Sequence, residues 1–398
     1  MEPANIIMDA YRNGRQGIVA YIGGLQMIYL DNAATAKPSD RVQLAVIRSM
    51  RNSWGNPSSE HDIGENAAKA LNLAREQVCC LLKGANPEDI IFTSGATESN
   101  NIALYYAGNT IAGSTEHKSV LHNKNVVGII PATDGVILPK AANHAIKNSN
   151  AKVNAVSVML VNNETGAIND VRNIAEVARR HNAFVHCDLV QAAGTMPINV
   201  KEMGIDAASI SGHKLHSTKG IGALYVSPRF RRMMLSKGFY MSGGSQENSL
   251  RPGTQNVFGA VGFGEACVES SEHLLDDMRL FETLSYELRG YLKLYSTGVK
   301  FNRWSENWCD KILSVRFDGV DAATLQAWLA QKGVCVSTGS ACDSNEIVVS
   351  NTLIQSGLTE EQAMSTIRIS FSRYNTPREI KKAARIIAST VERLRSLQ

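Results

Sequence analysis

The residues best placed to do chemistry surround Lys214, in the tetrapeptide Ser211-Gly212-His213-Lys214. Apolar runs flank it, Ala207 to Ile210 before and Gly220 to Val226 after. A lysine enclosed in this way cannot extend its ammonium to water along its own stem and needs a partner. One chemical solution is covalent: the amine condenses with an aldehyde, as lysines do with pyridoxal phosphate. Three other places carry compatible chemistry. Asp188 ends the run Ala183 to Cys187, with Gln191 three residues on. Ser94-Gly95-Ala96-Thr97-Glu98 joins a strand to a helix start, where free backbone N–H groups and hydroxyls can hold a phosphate. Thr338-Gly339-Ser340-Ala341-Cys342-Asp343-Ser344 opens a polar loop of the kind that can carry a reactive group which must move.

The elements that position these groups follow from periodicity. Ser39-Asp40 caps a helix to about Met50, and apolar residues recur at helical spacing from Glu65 to Leu82. A strand, Asp89 to Thr93, leads into a helix ending near Leu104. The run Val153 to Val161 is nearly all apolar, as in a strand buried on both faces. A helix, Val171 to Arg180, precedes the strand that stops at Asp188. This alternation through Val226 predicts a mainly parallel sheet with ligands at the carboxyl ends of its strands. Thr97, Asn163, Asp188 and Lys214 all fall at such ends or just beyond. After Gly264 the pattern changes to one long helix from Glu265 toward Leu294, strands at Ile312 to Phe317, Val334 to Ser337 and Thr366 to Phe371, a helix from Ala322 to Gln331 and a last helix from Pro377. The expected division is an extension over 1–26, a large domain over 27–264 and a smaller, more antiparallel α+β domain over 265–398.

Composition excludes several alternatives. The chain has 398 residues, 44% hydrophobic and 20% charged, enough for a large core and two domains. A formal net charge of +4 without a basic block does not favour nucleic acid as a direct ligand. Seven cysteines without a C-x-x-C pair suggest neither a disulfide framework nor a zinc site, so no metal is expected. A reducing cytoplasm fits this usage. No stretch reaches membrane-spanning length. The absence of a complete G-x-G-x-x-G or Walker pattern leaves no support for a nicotinamide or nucleoside triphosphate site.

From Ile28 to the final helix the chain resembles the cysteine desulfurases of the NifS/IscS kind. The resemblance is carried by Y-L-D-N-A-A-T (29–35), G-N-P-S-S (55–59), F-T-S-G-A-T-E (92–98), E-H-K (116–118), V-N-N-E (161–164), S-G-H-K (211–214), R-P-G-T (251–254), S-T-G-S-A-C (337–342) and I-R-I-S (367–370). It implies an α/β fold of the aspartate-aminotransferase type, a large domain with a mainly parallel seven-stranded sheet plus a small α+β domain, working as a homodimer with pyridoxal 5'-phosphate. By the same resemblance Lys214 binds the cofactor and takes the substrate Cα proton, Asp188 pairs with the ring nitrogen, Gln191 with the ring hydroxyl, and His117 stacks on the ring and moves protons. Ala96, Thr97, Ser211 and His213 hold the phosphate, joined by Thr254 of a second subunit. Asn163 contacts the cofactor and, with Arg368, takes the substrate carboxylate, and Cys342 receives sulfur from L-cysteine for an acceptor protein, such as an iron-sulfur scaffold or a tRNA-thiolation protein. The G-S-A-C loop is similar to that of the subgroup with a long mobile cysteine loop.

There are departures. Leu189-Val190 replaces small residues, Leu215-His216-Ser217-Thr218 replaces the usual aromatic-Gly-Pro, and Asp343 puts a carboxylate beside the thiol, which raises a thiol pKa. A selenocysteine lyase or another pyridoxal phosphate β-eliminating enzyme would share the lysine, aspartate and phosphate groups without depending on Cys342. A non-catalytic assembly scaffold would have no need of them.

Overall fold

The computed structural model describes residues 21–22, 25–238, 240–304, 307–339 and 349–397. Most of the expected extension and all of Cys342 and Asp343 lie outside them. Seven strands build the central sheet: β1 (Ile90–Thr93), β2 (Thr110–Gly113), β3 (Val126–Ile130), β4 (Ala155–Ser157), β5 (Phe184–Asp188), β6 (Ala207–Ser211) and β7 (Gly222–Val226). Their order is β1-β7-β6-β5-β4-β2-β3. Only β7 runs against its neighbours, and the pairs from β6 to β3 are parallel. This is the mainly parallel α/β sheet expected from the alternation of strands and helices. The middle strands are buried throughout because helices cover both faces, whereas the edge strand β3 alternates between half-buried and exposed residues.

A second, antiparallel sheet contains β8 (Val299–Phe301), β9 (Ile312–Phe317), β10 (Ser337–Thr338) and β11 (Thr366–Ser370), in the order β8-β9-β11-β10. The helices Leu274–Tyr295, Ala322–Gln331 and Pro377–Arg395 pack on it around Leu288, Phe317, Leu325, Ile369 and Ile387. Ile28 and Leu30 belong to this second core, since Ile28–Tyr29 pairs with Val334–Cys335.

Three elements differ from expectation. The long helix is two, Val257–Glu272 and Leu274–Tyr295, broken at His273. The first buries Phe263, Ala266 and Cys267 in the large core, the second Phe281, Leu284 and Leu288 in the small one, so the axis turns where the chain changes cores. The run Val334 to Ser337 also divides, its first two residues pairing with Ile28–Tyr29 and Ser337–Thr338 with β11. Of Val153 to Val161 only Ala155–Ser157 is regular strand. Beyond it Val158 and Leu160 still donate to the His186 and Asp188 carbonyls, at 3.1 Å each.

Candidate active site

A cleft of about 650 Å³ lies at the carboxyl end of the central sheet, with Arg368 of β11 contributed from the second sheet. It gathers Ala96, Thr97, His117, Asn163, Asp188, Gln191, Ser211, His213, Lys214 and Arg368, residues scattered over more than 270 positions of sequence. Thr254 is exposed and does not line it. Cys342 falls outside the described residues, but Gly339, three positions earlier, is part of the wall.

Lys214 ends the short 3-10 turn Gly212–Lys214 that follows β6. Its Nζ donates to the carbonyls of Ala33 and Ala34, at 2.5 and 2.6 Å. Gln191 Nε2 donates to the same Ala33 carbonyl at 3.0 Å, and Thr35 Oγ1 lies 3.2 Å from His213 Nδ1. Asp31 pairs with Arg368 Nη2 at 2.9 Å, while Arg368 Nη1 donates to the Asn163 carbonyl, also at 2.9 Å. Residues 31–35 thus hold four of the predicted site side chains. Sequence reasoning assigned this segment no role, because most of its contacts use backbone carbonyls, which any residue supplies.

Asp188 ends β5 with its carboxylate buried. Oδ2 accepts from Asn100 Nδ2 at 3.0 Å and Oδ1 from the Val190 N–H at 3.0 Å. Asn100 also donates to Ser119 Oγ at 2.8 Å, and that hydroxyl lies 2.7 Å from His117 Nδ1. The Ser119 N–H donates to the same Nδ1 at 3.1 Å, which assigns the proton of the neutral ring to Nε2. Burial holds His117 below its ordinary pKa, opposed by Asp188 and aided by Lys214. Burial and the neighbouring Lys214 push His213 down to about 4. Asn100 and Ser119 are site residues that the sequence analysis missed. Their signal was weak: Asn100 is a polar residue on a predicted helix, one turn past Thr97.

The phosphate-type turn depends on Gly95, whose φ of 154° and ψ of 179° fall in a region open essentially to glycine alone. It aims the helix Ala96–Ala107 so that its first turn faces the cleft without a side-chain cap, leaving N–H groups for an anion. Glu98 does not close that end. It accepts from the Ser94 N–H at 2.6 Å and pairs with Arg251 at 2.8 Å, tying the Arg251-Pro252-Gly253-Thr254 motif to the turn.

A lysine, a buried aspartate, an uncapped helix start and a buried arginine thus line one cleft. The description "Aminotransferase class-V" matches residues 28–383. The chain belongs to the class-V aminotransferases. A cysteine desulfurase IscS of Klebsiella pneumoniae is 36% identical over 389 residues, covering 93% of this chain and 94% of that protein. A putative cysteine desulfurase IscS 1 of Bacillus subtilis is 34% identical, covering 93% and 100%. Among solved structures, a NifS-like protein from Rickettsia africae superposes with a TM-score of 0.83 at 30% identity, covering 93% of this chain and 99% of that one. Within its family the chain is a cysteine desulfurase of the NifS/IscS kind, and so depends on pyridoxal phosphate.

The desulfurase's own residues fit that cofactor. Gln191 Oε1 is buried and has no hydrogen-bond partner among the described residues, which suits the ring hydroxyl. Asp188 receives only neutral donors and makes no ion pair among the described residues, which suits a protonated ring nitrogen. The open amides at Ala96 and Thr97, with Ser211 and His213 beside them, suit the phosphate.

Proposed function

We propose that this desulfurase transfers the sulfur of L-cysteine to Cys342, leaving alanine and a persulfide for an acceptor protein. Pyridoxal phosphate, when bound, supplies an electron sink for charge developing at the substrate Cα. Lys214 holds the cofactor and, once displaced by substrate, carries the Cα proton on Nζ. The Ala33 and Ala34 carbonyls keep that amine in place. Asp188, oriented by Asn100 and the Val190 N–H, keeps the ring nitrogen protonated. His117 Nε2 holds a proton that can be handed on, because burial keeps the ring near neutrality. Arg368 and Asn163 bind the substrate carboxylate, and arginine's planar fork suits that task. The Cys342 thiolate attacks the substrate sulfur; an S–S bond forms as the C–S bond breaks, and its electron pair stays on the alanine carbon.

The observation that carries this reading is Gly339 in the cleft wall. Three residues span at most about 10 Å, so the Cys342 thiol is within chain reach of the cofactor site. None of the six described cysteines lines the cleft. Burial pushes the Cys79 thiol up to about 12 and raises those of Cys187, Cys267, Cys309 and Cys335, leaving them poor nucleophiles. Cys80, the exposed member of the adjacent pair, sits on the helix Asp62–Leu81.

A homodimer is supported by exposed Ile47, Met50, Trp54 and Ile63, an apolar group on and between the helices Asp40–Asn52 and Asp62–Leu81. Thr254, exposed in one subunit, is then available to its partner's phosphate. The acceptor is an iron-sulfur scaffold or a tRNA-thiolation protein. Six free thiols among the described residues suit a cytoplasmic location; among the same residues no helix is long and apolar enough to cross a membrane. Purified protein should be yellow, bleach with borohydride, and release one alanine for each sulfur taken from L-cysteine. Colourless protein that takes up no cofactor, or release of pyruvate in place of alanine, would overturn the reading.

A further inference from the structure

The turn after β4 is braced from within and by Trp308, from the segment just before β9. Asn162, wholly buried, accepts through Oδ1 from the Glu164 and Thr165 N–H groups, at 2.9 Å each, and donates from Nδ2 to the Thr115 carbonyl at 3.0 Å. Trp308 Nε1 donates to the Thr165 carbonyl. Glu164 projects from this fixed turn. Its Oε2 accepts a 2.5 Å hydrogen bond from Ser350 Oγ. The same oxygen occupies the space a side chain at 339 would need, since a Cβ on Gly339 would come within 2.2 Å of it. Thr352 hydrogen-bonds the carboxylate as well, and burial raises its pKa while Ser350 and Arg368 oppose the rise.

Gly339 and Ser350 stand on opposite sides of the stretch that contains Cys342. Each is also fixed within the small domain. Thr338, beside Gly339, pairs with Ile367 of β11, and Ser350 caps the helix Asn351–Gln355 by accepting from the Leu353 N–H at 3.2 Å. Glu164 is therefore a single large-domain group that touches both ends of this stretch.

We propose that Glu164 is a positioning residue for sulfur transfer, tying both ends of the Cys342-bearing stretch to the rigid turn after β4 and so setting where the thiol can reach. The inference rests on Cys342 as the sulfur acceptor. Cysteine-free mechanisms give Glu164 no such role, because it contacts neither Lys214 nor Asp188.

The test uses the holoenzyme and two readouts: the cysteine-induced change in cofactor absorbance, which reports substrate binding, and the rate of persulfide appearance on Cys342 by mass spectrometry in a single turnover. Glu164→Ala should slow persulfide formation roughly tenfold or more, because a small misplacement of a reacting group is costly, while half-saturation of the absorbance change shifts less than about twofold. Gly339→Ala, which displaces the carboxylate, should do the same. Glu164→Gln, which keeps an acceptor for Ser350 Oγ, should recover most of the rate. A wild-type rate in Glu164→Ala, a loss accounted for by weaker cysteine binding, or no recovery with glutamine would each overturn the proposal. Normal turnover by Cys342→Ala would instead remove the premise, and that variant is measured in parallel so that the two failures are told apart.

Discussion

Asp188 and Asp206 lie at opposite ends of the neighbouring parallel strands β5 and β6, both more than nine-tenths buried, and the fold treats them in opposite ways. Asp206 precedes β6 and is fully paired. Oδ2 accepts from Arg229 Nη2 at 2.7 Å and the Val185 N–H at 3.1 Å, and Oδ1 from Ser227 Oγ at 3.0 Å and Arg229 Nε at 3.2 Å. Its charge is neutralised where it stands, and it joins strand to helix. Asp188, at the carboxyl end, has two neutral donors and no ion pair among the described residues. A desolvated carboxylate in that condition is poised for a cation, which in the proposed mechanism the cofactor's ring nitrogen would provide. In one sheet, the aspartate supplied with its own cation is the one that joins strand to helix, and the one left without a cation among the described residues is the one proposed to work.

Substitution can break this contrast. The largest effect belongs to Lys214→Ala, which should lose both cofactor colour and alanine release; turnover surviving through Lys219, an exposed lysine on the cleft wall, would show that the site has a second competent amine. Asp188→Ala should keep the colour through Lys214 yet lose about 10²- to 10³-fold in kcat, since the charge it stabilises develops only during reaction. Asp206→Ala should do the reverse. Freeing Arg229 and the Val185 N–H costs about 2 kcal/mol of stability, read as a melting temperature lower by a few degrees, with kcat per folded molecule within about twofold. Equal kinetic losses in the two variants would erase the distinction.

Buried histidines extend the contrast to pH. His186 bridges Ser157 and Ser209 across β4, β5 and β6, and burial pushes it down to about 4. His216 is pushed down to about 3 by burial and by Lys311. Below their ordinary pKa of about 6.5 the unfolded chain binds protons that these folded rings refuse, so stability is complete above that pH and falls as pH drops toward 4. Each group contributes a slope of about 1.4 kcal/mol per pH unit in that window. Melting temperatures measured from pH 7 to 5 should decline, and less steeply in His186→Gln; a flat profile would contradict the assignment.

The smallest effect is expected from starting the chain at Met27, because the family match begins at residue 28 and Ile28 already packs in the second core. A large drop in melting temperature would show that the preceding residues are integral.

Much of the site could be read from sequence because its groups end apolar runs: a polar residue that stops a buried strand, as Asp188 does, or that follows a longer apolar run, as Asn163 does, advertises the sheet's carboxyl edge. What could not be read has physical reasons. The carbonyls of Ala33 and Ala34 carry no side-chain signature, and Glu164 acts on residues some 175 to 186 positions away, visible only once the two cores are placed. The break at His273 was hidden because both helices keep apolar faces across it, toward different cores. Thr254 gains its implied role only in a second subunit, beyond what one chain's periodicity can express.

Sulfur transfer to Cys342 is read out by peptide mapping with mass spectrometry after brief incubation of the holoenzyme with L-cysteine. One added sulfur should appear on the peptide containing Cys342, and Cys342→Ala should keep its yellow colour and its cysteine-induced absorbance change while forming no persulfide. Sulfur found chiefly on Cys80 or another thiol, or alanine release at the wild-type rate by Cys342→Ala, would rule out Cys342 as the acceptor.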